Sequence, residues 1–148
     1  MPQNRLIGAW HLLSVEGRTP DGETSHPLGA SPSGRLIYTE HGHMSVILAS
    51  GERAPFTSSN FREGRVAEKA HAFDTMMAYS GRYELHEDRV FHYPDVAWFP
   101  NWVGTAEERF VELSGDILTL STPPRFAEGE QRRIFLVWQR VRARTKGS

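Results

Sequence analysis

The chain has 148 residues, of which 39% are hydrophobic and 11% aromatic, with a formal net charge of -1 and no cysteine. Its length predicts one domain with a sizeable core, and its balanced charge disfavours binding to nucleic acid or a membrane surface, which needs a basic excess. The lack of cysteine excludes a disulfide framework, a cysteine nucleophile and thiolate metal ligands.

The N-terminal segment contains no apolar stretch typical of a secretory signal. No run approaches the roughly 18 apolar residues of a membrane-spanning helix. We therefore expect a cytoplasmic protein with a single domain over residues 1–148, a core at 6–141 and a solvated basic tail at 142–148.

Short β-rich runs alternate with glycine- and proline-rich segments along the chain, a pattern typical of an all-β sandwich or barrel. Turn residues at His41-Gly42, Glu87-Asp88 and Ser114-Gly115-Asp116 join neighbouring runs. They predict antiparallel hairpins, and no parallel crossover is required. The predicted strands are 7–16, 34–40, 43–50, 78–86, 89–94, 105–113, 116–122 and 132–141.

One segment, between the third and fourth predicted strands, departs from the β pattern. Within residues 65–77, the apolar residues Val66, Ala70, Phe73 and Met77 have helical spacing, which predicts one short amphipathic helix of about three turns. This helix either plugs an end of a barrel or acts as a mobile lid over a ligand, and the preceding loop, residues 51–64, permits motion.

Alternation along the first and last strands assigns their faces. The residues that share a side are Trp10, Leu12 and Ser14 on the first strand, and Ile134, Leu136, Trp138 and Arg140 on the last. If both sets face inward, the Arg140 guanidinium can stack on the Trp10 indole, a contact worth about 1–2 kcal/mol when desolvated. This contact predicts that the two strands are neighbours and close an antiparallel up-and-down barrel of eight strands.

Further motifs complete a resemblance to a known family. They are Gly42-His43-Met44-Ser45-Val46, Ala78-Tyr79-Ser80-Gly81-Arg82-Tyr83, Pro100-Asn101-Trp102-Val103-Gly104-Thr105 and Leu118-Thr119-Leu120-Ser121-Thr122. Together with Gly8-Ala9-Trp10 and the late Arg140, they make residues 6–140 resemble the small bacterial and fungal lipocalin-like domain family. The resemblance implies a closed barrel around a hydrophobic-to-mixed cavity. It implies no single activity, although some relatives are cofactor-independent cyclases or isomerases, and it transfers no catalytic residue set.

The densest polar and aromatic cluster covers residues 92–102. Two prolines interrupt any regular strand there, and exposing Trp98, Phe99 and Trp102 as one patch would be unfavourable. The cluster is therefore predicted either to plug the barrel or to form the aromatic wall of a ligand cavity.

Four residues are candidates for catalysis if they face inward. His92 titrates near neutrality and is a candidate acid and base, and Arg109 on the next strand can hold a carboxylate or an enolate. Tyr79 and Tyr83 can donate hydrogen bonds to a carbonyl oxygen, and Gly81 between them leaves room for a ligand. For each residue the alternative is a structural or surface role: core packing for the tyrosines, a hydrogen-bonded or solvent-facing histidine, and an arginine at the surface or in an ion pair.

The candidate ligand-binding residues are Tyr38, His43, Met44, Phe73, Met77, Trp98 and Trp102. His41 and His43 straddle a predicted turn without a third ligand, so no metal site is predicted and His43 is expected at the cavity rim. No phosphate loop or nucleophile elbow is present, and no cofactor is expected.

We therefore expect a small hydrophobic or aromatic ligand, no nucleic-acid or membrane partner, and a monomer or homodimer. One hypothesis is a cofactor-independent isomerase or cyclase of small-molecule or natural-product metabolism, in which His92 transfers protons, Tyr79 or Tyr83 polarises an oxygen and Arg109 balances charge. The alternatives are a non-catalytic carrier or sensor, and a structural barrel with a filled interior. If Trp10 and Arg140 close one end, the ligand should enter at the other.

Overall fold

The structure, a computed structural model, describes residues 4–127 and 130–142. Most of the predicted basic tail, residues 143–148, lies outside the described residues. The elements in chain order are β1 (Gly8–Arg18), β2 (Thr24–Ser25), β3 (Ser33–Tyr38), β4 (His43–Ala49), α1 (Val66–Asp74), β5 (Met76–His86), β6 (Arg89–Ala97), β7 (Glu107–Ser114), β8 (Ile117–Ser121), β9 (Arg125–Ala127) and β10 (Glu130–Arg140). Two single 3₁₀ turns occupy Phe61–Glu63 and Pro100–Trp102.

The strands form one antiparallel sheet in the order β2-β1-β3-β4-β5-β6-β7-β8-β10-β9, and pairing of β1 with β10 closes it. The predicted eight-stranded antiparallel barrel is therefore confirmed, with β2 and β9 as short additions at its margin. The helix was predicted between strands three and four. It lies between β4 and β5, because the short β2 adds one strand to the count.

The predicted contact between the first and last strands is confirmed. Trp10 and Arg140 are register partners, and the guanidinium carbon lies 4.3 Å from the indole centroid. Arg140 Nη1 and Nη2 donate to the carbonyl oxygens of Ile7 and Arg5 at 2.9 and 2.7 Å, and Trp10 Nε1 donates to Leu6 O at 2.8 Å. The N-terminal segment is thereby held across this end of the barrel, which we call the closed end.

The predicted alternation is wrong at Ser14. The pairing register of β1 shifts between Leu12 and Ser14, the mark of a β-bulge. One extra residue in a strand moves all later side chains to the opposite face. As a result, Val15 is buried and Ser14 is only half-buried.

The helix is shorter and more exposed than predicted. It ends at Asp74, and Met77 already belongs to β5, where it pairs with Leu48. No residue of α1 is buried, and Val66 is 86% exposed. Polar contacts from the preceding loop hold the helix instead: Arg53 Nη2 donates to Ala72 O at 3.2 Å. The apolar spacing that predicted the helix therefore does not mark a face packed on the core.

The hydrophobic core lies inside the barrel, and its largest fully buried members are Trp10, Trp138 and Tyr38. No helix among the described residues is long and apolar enough to cross a membrane.

Candidate functional site

A cavity of about 430 Å³ lies in the barrel toward the end opposite the Trp10–Arg140 contact. Its volume falls within the range of about 300–1,000 Å³ that is usual for small-molecule sites. The aliphatic part of its wall includes residues of β1, β3, β4, β8 and β10, together with Met77 of β5. The residues of these five strands include Val15, Leu36, Val46, Leu48, Leu120 and Leu136. The interior at this end is therefore not filled by side chains.

The aromatic part of the wall comes from the segment that follows β6. Trp98 and Trp102 line the cavity with ring centroids 5.9 Å apart, and the Trp102 ring lies edge-on to Tyr79 at 5.7 Å. Phe73 of α1 stacks on Trp98 with centroids 3.9 Å apart and an interplanar angle of 23°. Of the two predicted roles for residues 92–102, the geometry matches the cavity wall, and α1 contacts that wall through Phe73.

Three buried side chains form a hydrogen-bonded row beside the cavity. His92 on β6 is 2% exposed, and its Nε2 lies 2.6 Å from the Tyr38 hydroxyl. Its Nδ1 lies 2.6 Å from the Tyr79 hydroxyl. All three residues occupy inward positions of their strands, and we refer to them as the Tyr38–His92–Tyr79 row. Tyr79 and His92 line the cavity.

The row is electrically neutral. Burial, reinforced by the positive charge of Arg109, lowers the pKa of His92 from 6.5 to about 3. Burial raises the pKa of Tyr79 to about 12 and that of Tyr38 well above its usual value of 10.0. The expectation that His92 titrates near neutrality is therefore wrong, because it assumed an imidazole in contact with water.

Two opposite charges border the same cavity. Arg109 faces inward on β7, and its Nη1 donates to Glu108 O at 2.8 Å. Asp74, the last residue of α1, supplies a carboxylate. Arg109 acts on the row through its charge, which favours the neutral form of His92 and the ionised forms of both tyrosines.

Tyr83 and Met44 do not line the cavity. The Tyr83 hydroxyl donates to Thr39 O at 2.5 Å and accepts from Asn4 Nδ2 at 2.9 Å. These partners belong to the closed end, so Tyr83 has a structural hydrogen-bonding role here. Met44 is 2% exposed and pairs with Gly81 deep in the core.

His43 lies away from the cavity, contrary to its expected place at the rim. It starts β4 at the closed end, and the inward positions of that strand are the even-numbered residues. The His43 side chain is therefore exposed on the outer face, opposite Arg82 of β5. Among the described residues, no three His, Asp or Glu side chains are placed to hold a metal ion.

Gly81 was expected to leave room for a ligand, but neighbouring backbone occupies that space. A Cβ at this position would lie 2.0 Å from Tyr93 O and 2.8 Å from Tyr93 C. The register between β5 and β6 shifts between Ser80 and Gly81. A glycine at such a bulge allows close approach of the two strands, and this is the physical reason for its presence.

The sequence-based prediction missed Trp138 as a cavity residue. Alternation along the last strand predicted that Trp138 faces inward with Leu136. That strand was used only to predict barrel closure, and not to predict cavity residues. Trp138 is 1% exposed and lines the cavity. Within the described residues, the Nε1 atoms of Trp138 and Trp98 are buried without a hydrogen-bond partner. Both N–H groups are enclosed by the packing around them and are not open to the cavity.

Comparison with known proteins gives one family and one relative. A family described as "Lipocalin-like domain" matches residues 7–141. Over 90 residues the chain is 38% identical to the 4'-hydroxy-3'-methoxypropiophenone carrier protein ppsC of Aspergillus oryzae, an alignment that covers 55% of this chain and 81% of that protein. No solved structure matches the chain significantly.

Proposed function

The chain belongs to the lipocalin-like domain family, and we propose that it binds and carries a small aromatic molecule in its barrel without transforming it. The observation that carries this proposal is the cavity of about 430 Å³, walled by indole rings and aliphatic side chains. An aromatic ligand buried there loses its contact with water and packs against rings that favour stacked or edge-on contacts.

The neutral Tyr38–His92–Tyr79 row supports binding over proton transfer. A general acid or base works best when its pKa lies near the operating pH, whereas burial and Arg109 lower the pKa of His92 to about 3. At neutral pH this imidazole has no dissociable proton of useful acidity and is a weak base. Its role in the proposal is to hold the two tyrosines by hydrogen bonds.

The chemistry of the ligand follows from the relative. The Aspergillus oryzae protein is named as the carrier of an aryl ketone with hydroxyl and methoxy substituents. We propose a ligand of the same class for this chain: a substituted phenyl ketone. Its ring would lie between the Trp98–Trp102 wall and the aliphatic side, and its oxygens would meet the donors of the cavity.

Calorimetric titration with 4'-hydroxy-3'-methoxypropiophenone tests this proposal. Leu48 and Ile47 are consecutive on β4, but Leu48 is 2% exposed and lines the cavity, whereas Ile47 is 48% exposed on the outer face. Leu48→Trp should fill the cavity and abolish binding, while Ile47→Trp, the matched control, should bind like the unmodified protein. Absence of binding to the unmodified protein, or equal binding by both variants, would contradict the proposal.

A second candidate function is a cofactor-independent isomerase or cyclase, and the Tyr79 hydroxyl beside Arg109 favours it. A hydroxyl donor and a cation near a ketone oxygen stabilise the negative charge that develops when an α-proton leaves. In D₂O such an enzyme would exchange the α-protons of the ketone for deuterium, which NMR detects. The carrier proposal predicts exchange at the rate of buffer alone. Faster exchange that Tyr79→Phe abolishes would establish the enzyme instead.

A further inference from the structure

The Tyr38–His92–Tyr79 row has more hydroxyl protons than the histidine can accept. A neutral imidazole has one N–H donor and one unprotonated nitrogen acceptor. Both ring nitrogens lie 2.6 Å from a tyrosine hydroxyl. One tyrosine therefore donates to the ring, the other accepts from it, and the accepting tyrosine keeps an O–H proton that the row does not use.

Burial decides which tyrosine keeps that proton. Tyr38 is 1% exposed and does not line the cavity, and within the described part of the chain His92 is the one hydrogen-bond partner of its hydroxyl. If Tyr38 accepted from the ring, its own proton would be buried without an acceptor, which is unfavourable. Tyr38 therefore donates to Nε2, and the Nδ1–H of His92 donates to Tyr79.

The unused proton then belongs to Tyr79, which borders the cavity. Its hydroxyl oxygen already accepts from His92 Nδ1, so its O–H is directed to a partner outside the row. In a chain of hydrogen bonds each accepted bond polarises the next donor. Tyr79 is accordingly a strengthened donor toward whatever occupies the cavity.

We infer that the cavity selects neutral aromatic ligands that carry an acceptor oxygen, because Tyr79 donates a hydrogen bond to a ketone oxygen of the ligand. The inference rests on the proposed carrier function and makes Tyr79 its specificity-determining residue. A hydrocarbon of the same shape fills the same space but leaves the Tyr79 donor unpaired. A site built around hydrogen bonds rejects such an analogue more strongly than an apolar pocket does.

The experiment measures the affinities of two probes: propiophenone, and n-propylbenzene, which has CH₂ in place of the carbonyl. Tyr79→Phe should weaken propiophenone binding by about five- to tenfold, the loss expected for one hydrogen bond, and leave n-propylbenzene binding unchanged. Tyr83→Phe is the matched control, because its hydroxyl bonds to Thr39 at the closed end, and it should change the affinity for neither probe.

Two further readouts separate hydrogen bonding from a general loss of structure. The carbonyl stretch of ¹³C-labelled propiophenone should lie at lower frequency in the complex with the unmodified protein than in the Tyr79→Phe complex. Tyr38→Phe leaves the cavity wall intact but frees His92 Nε2 from its donor. Tyr79 can then donate to His92 instead of the ligand, so propiophenone affinity should fall while n-propylbenzene affinity does not.

The outcomes distinguish this inference from the carrier function. If the unmodified protein binds neither probe, both fail. If both probes bind but Tyr79→Phe affects the ketone and the hydrocarbon equally, the donor inference is overturned while the carrier function stands. A carbonyl frequency that Tyr79→Phe leaves unchanged would overturn it as well.

Discussion

His92 determines how the stability of this barrel depends on pH. Burial, reinforced by the charge of Arg109, lowers its pKa from 6.5 to about 3 in the folded chain, whereas the unfolded chain keeps a pKa near 6.5. Between these values the unfolded state binds more protons than the folded state, so the free energy of unfolding falls as the pH falls. The stabilisation is complete above pH 6.5 and is lost progressively toward pH 3.

The size of the effect follows from the two pKa values. One pKa unit corresponds to about 1.4 kcal/mol, so lowering the pH from about 7 to about 4.5 removes roughly 2.5 kcal/mol through His92 alone. A domain of this size has a total stability of about 5–15 kcal/mol. The predicted change is therefore a large fraction of the total.

Urea unfolding at these two pH values measures the effect in the unmodified protein and in two variants. His92→Gln removes the titrating group. Between these two pH values, the free energy of unfolding of the variant should therefore fall by about 2.5 kcal/mol less than that of the unmodified protein. His43→Gln replaces an exposed histidine and should follow the unmodified protein. If His92→Gln and the unmodified protein lose stability in parallel, the reasoning about the buried neutral imidazole is refuted.

Three other perturbations test separate parts of the account. Gly81→Ala should lower the free energy of unfolding by about 3 kcal/mol, measured in urea, because its Cβ would meet the Tyr93 carbonyl at 2.0 Å. Arg140→Lys should cost about 2 kcal/mol in the same assay, since an ammonium cannot reproduce two directed hydrogen bonds and a stacked guanidinium. Phe73→Ala should accelerate dissociation of a bound aryl ketone in stopped-flow fluorescence, because it removes the stacking of α1 on Trp98. Because Phe73 is 43% exposed, the same substitution should change the free energy of unfolding by less than about 1 kcal/mol.

Each of these predictions has a control in the same chain. Gly115→Ala adds a Cβ with nothing within 4 Å at a φ of 60°, so it should cost only about 1–2 kcal/mol. Arg142→Lys changes an exposed arginine that pairs with Asp116 and should be nearly neutral. Phe61→Ala removes a 76% exposed ring outside the cavity lining and should leave the dissociation rate unchanged. The reasoning would be contradicted if Arg142→Lys lowered the free energy of unfolding as much as Arg140→Lys. It would also be contradicted if both phenylalanine variants released the aryl ketone at the same rate.

The barrel was predictable from the sequence because its evidence does not depend on strand register. Alternating faces, turn residues between strands and the pair Trp10 and Arg140 at the two ends require no knowledge of which distant strands are in register. The same reasoning failed at two bulges: alternation breaks at Ser14, and at Gly81, where alternation holds, the backbone of β6 occupies the space expected for a ligand. A bulge depends on how two strands fit each other, and a single sequence does not show it.

The site was only partly predictable for the same reason. The alternation of side chains along β5 and β6 predicted that Tyr79 and His92 could face inward. Their hydrogen bonds to each other and to Tyr38 depend in addition on the register of three strands. The lowered pKa of His92 depends on burial, which composition does not reveal. Trp138 was missed as a cavity residue because its strand had been interpreted through barrel closure alone.

Intermolecular NOEs test most directly whether the cavity holds the ligand. In an NMR sample of the protein saturated with 4'-hydroxy-3'-methoxypropiophenone, the account predicts NOEs from the ligand to the methyl groups of Leu48 and Leu120 and to the indole protons of Trp138, all of which line the cavity. A second hollow, at the closed end, is lined by Leu85, Val111 and Leu113. NOEs confined to that hollow, or the absence of any NOE at saturation, would contradict the account.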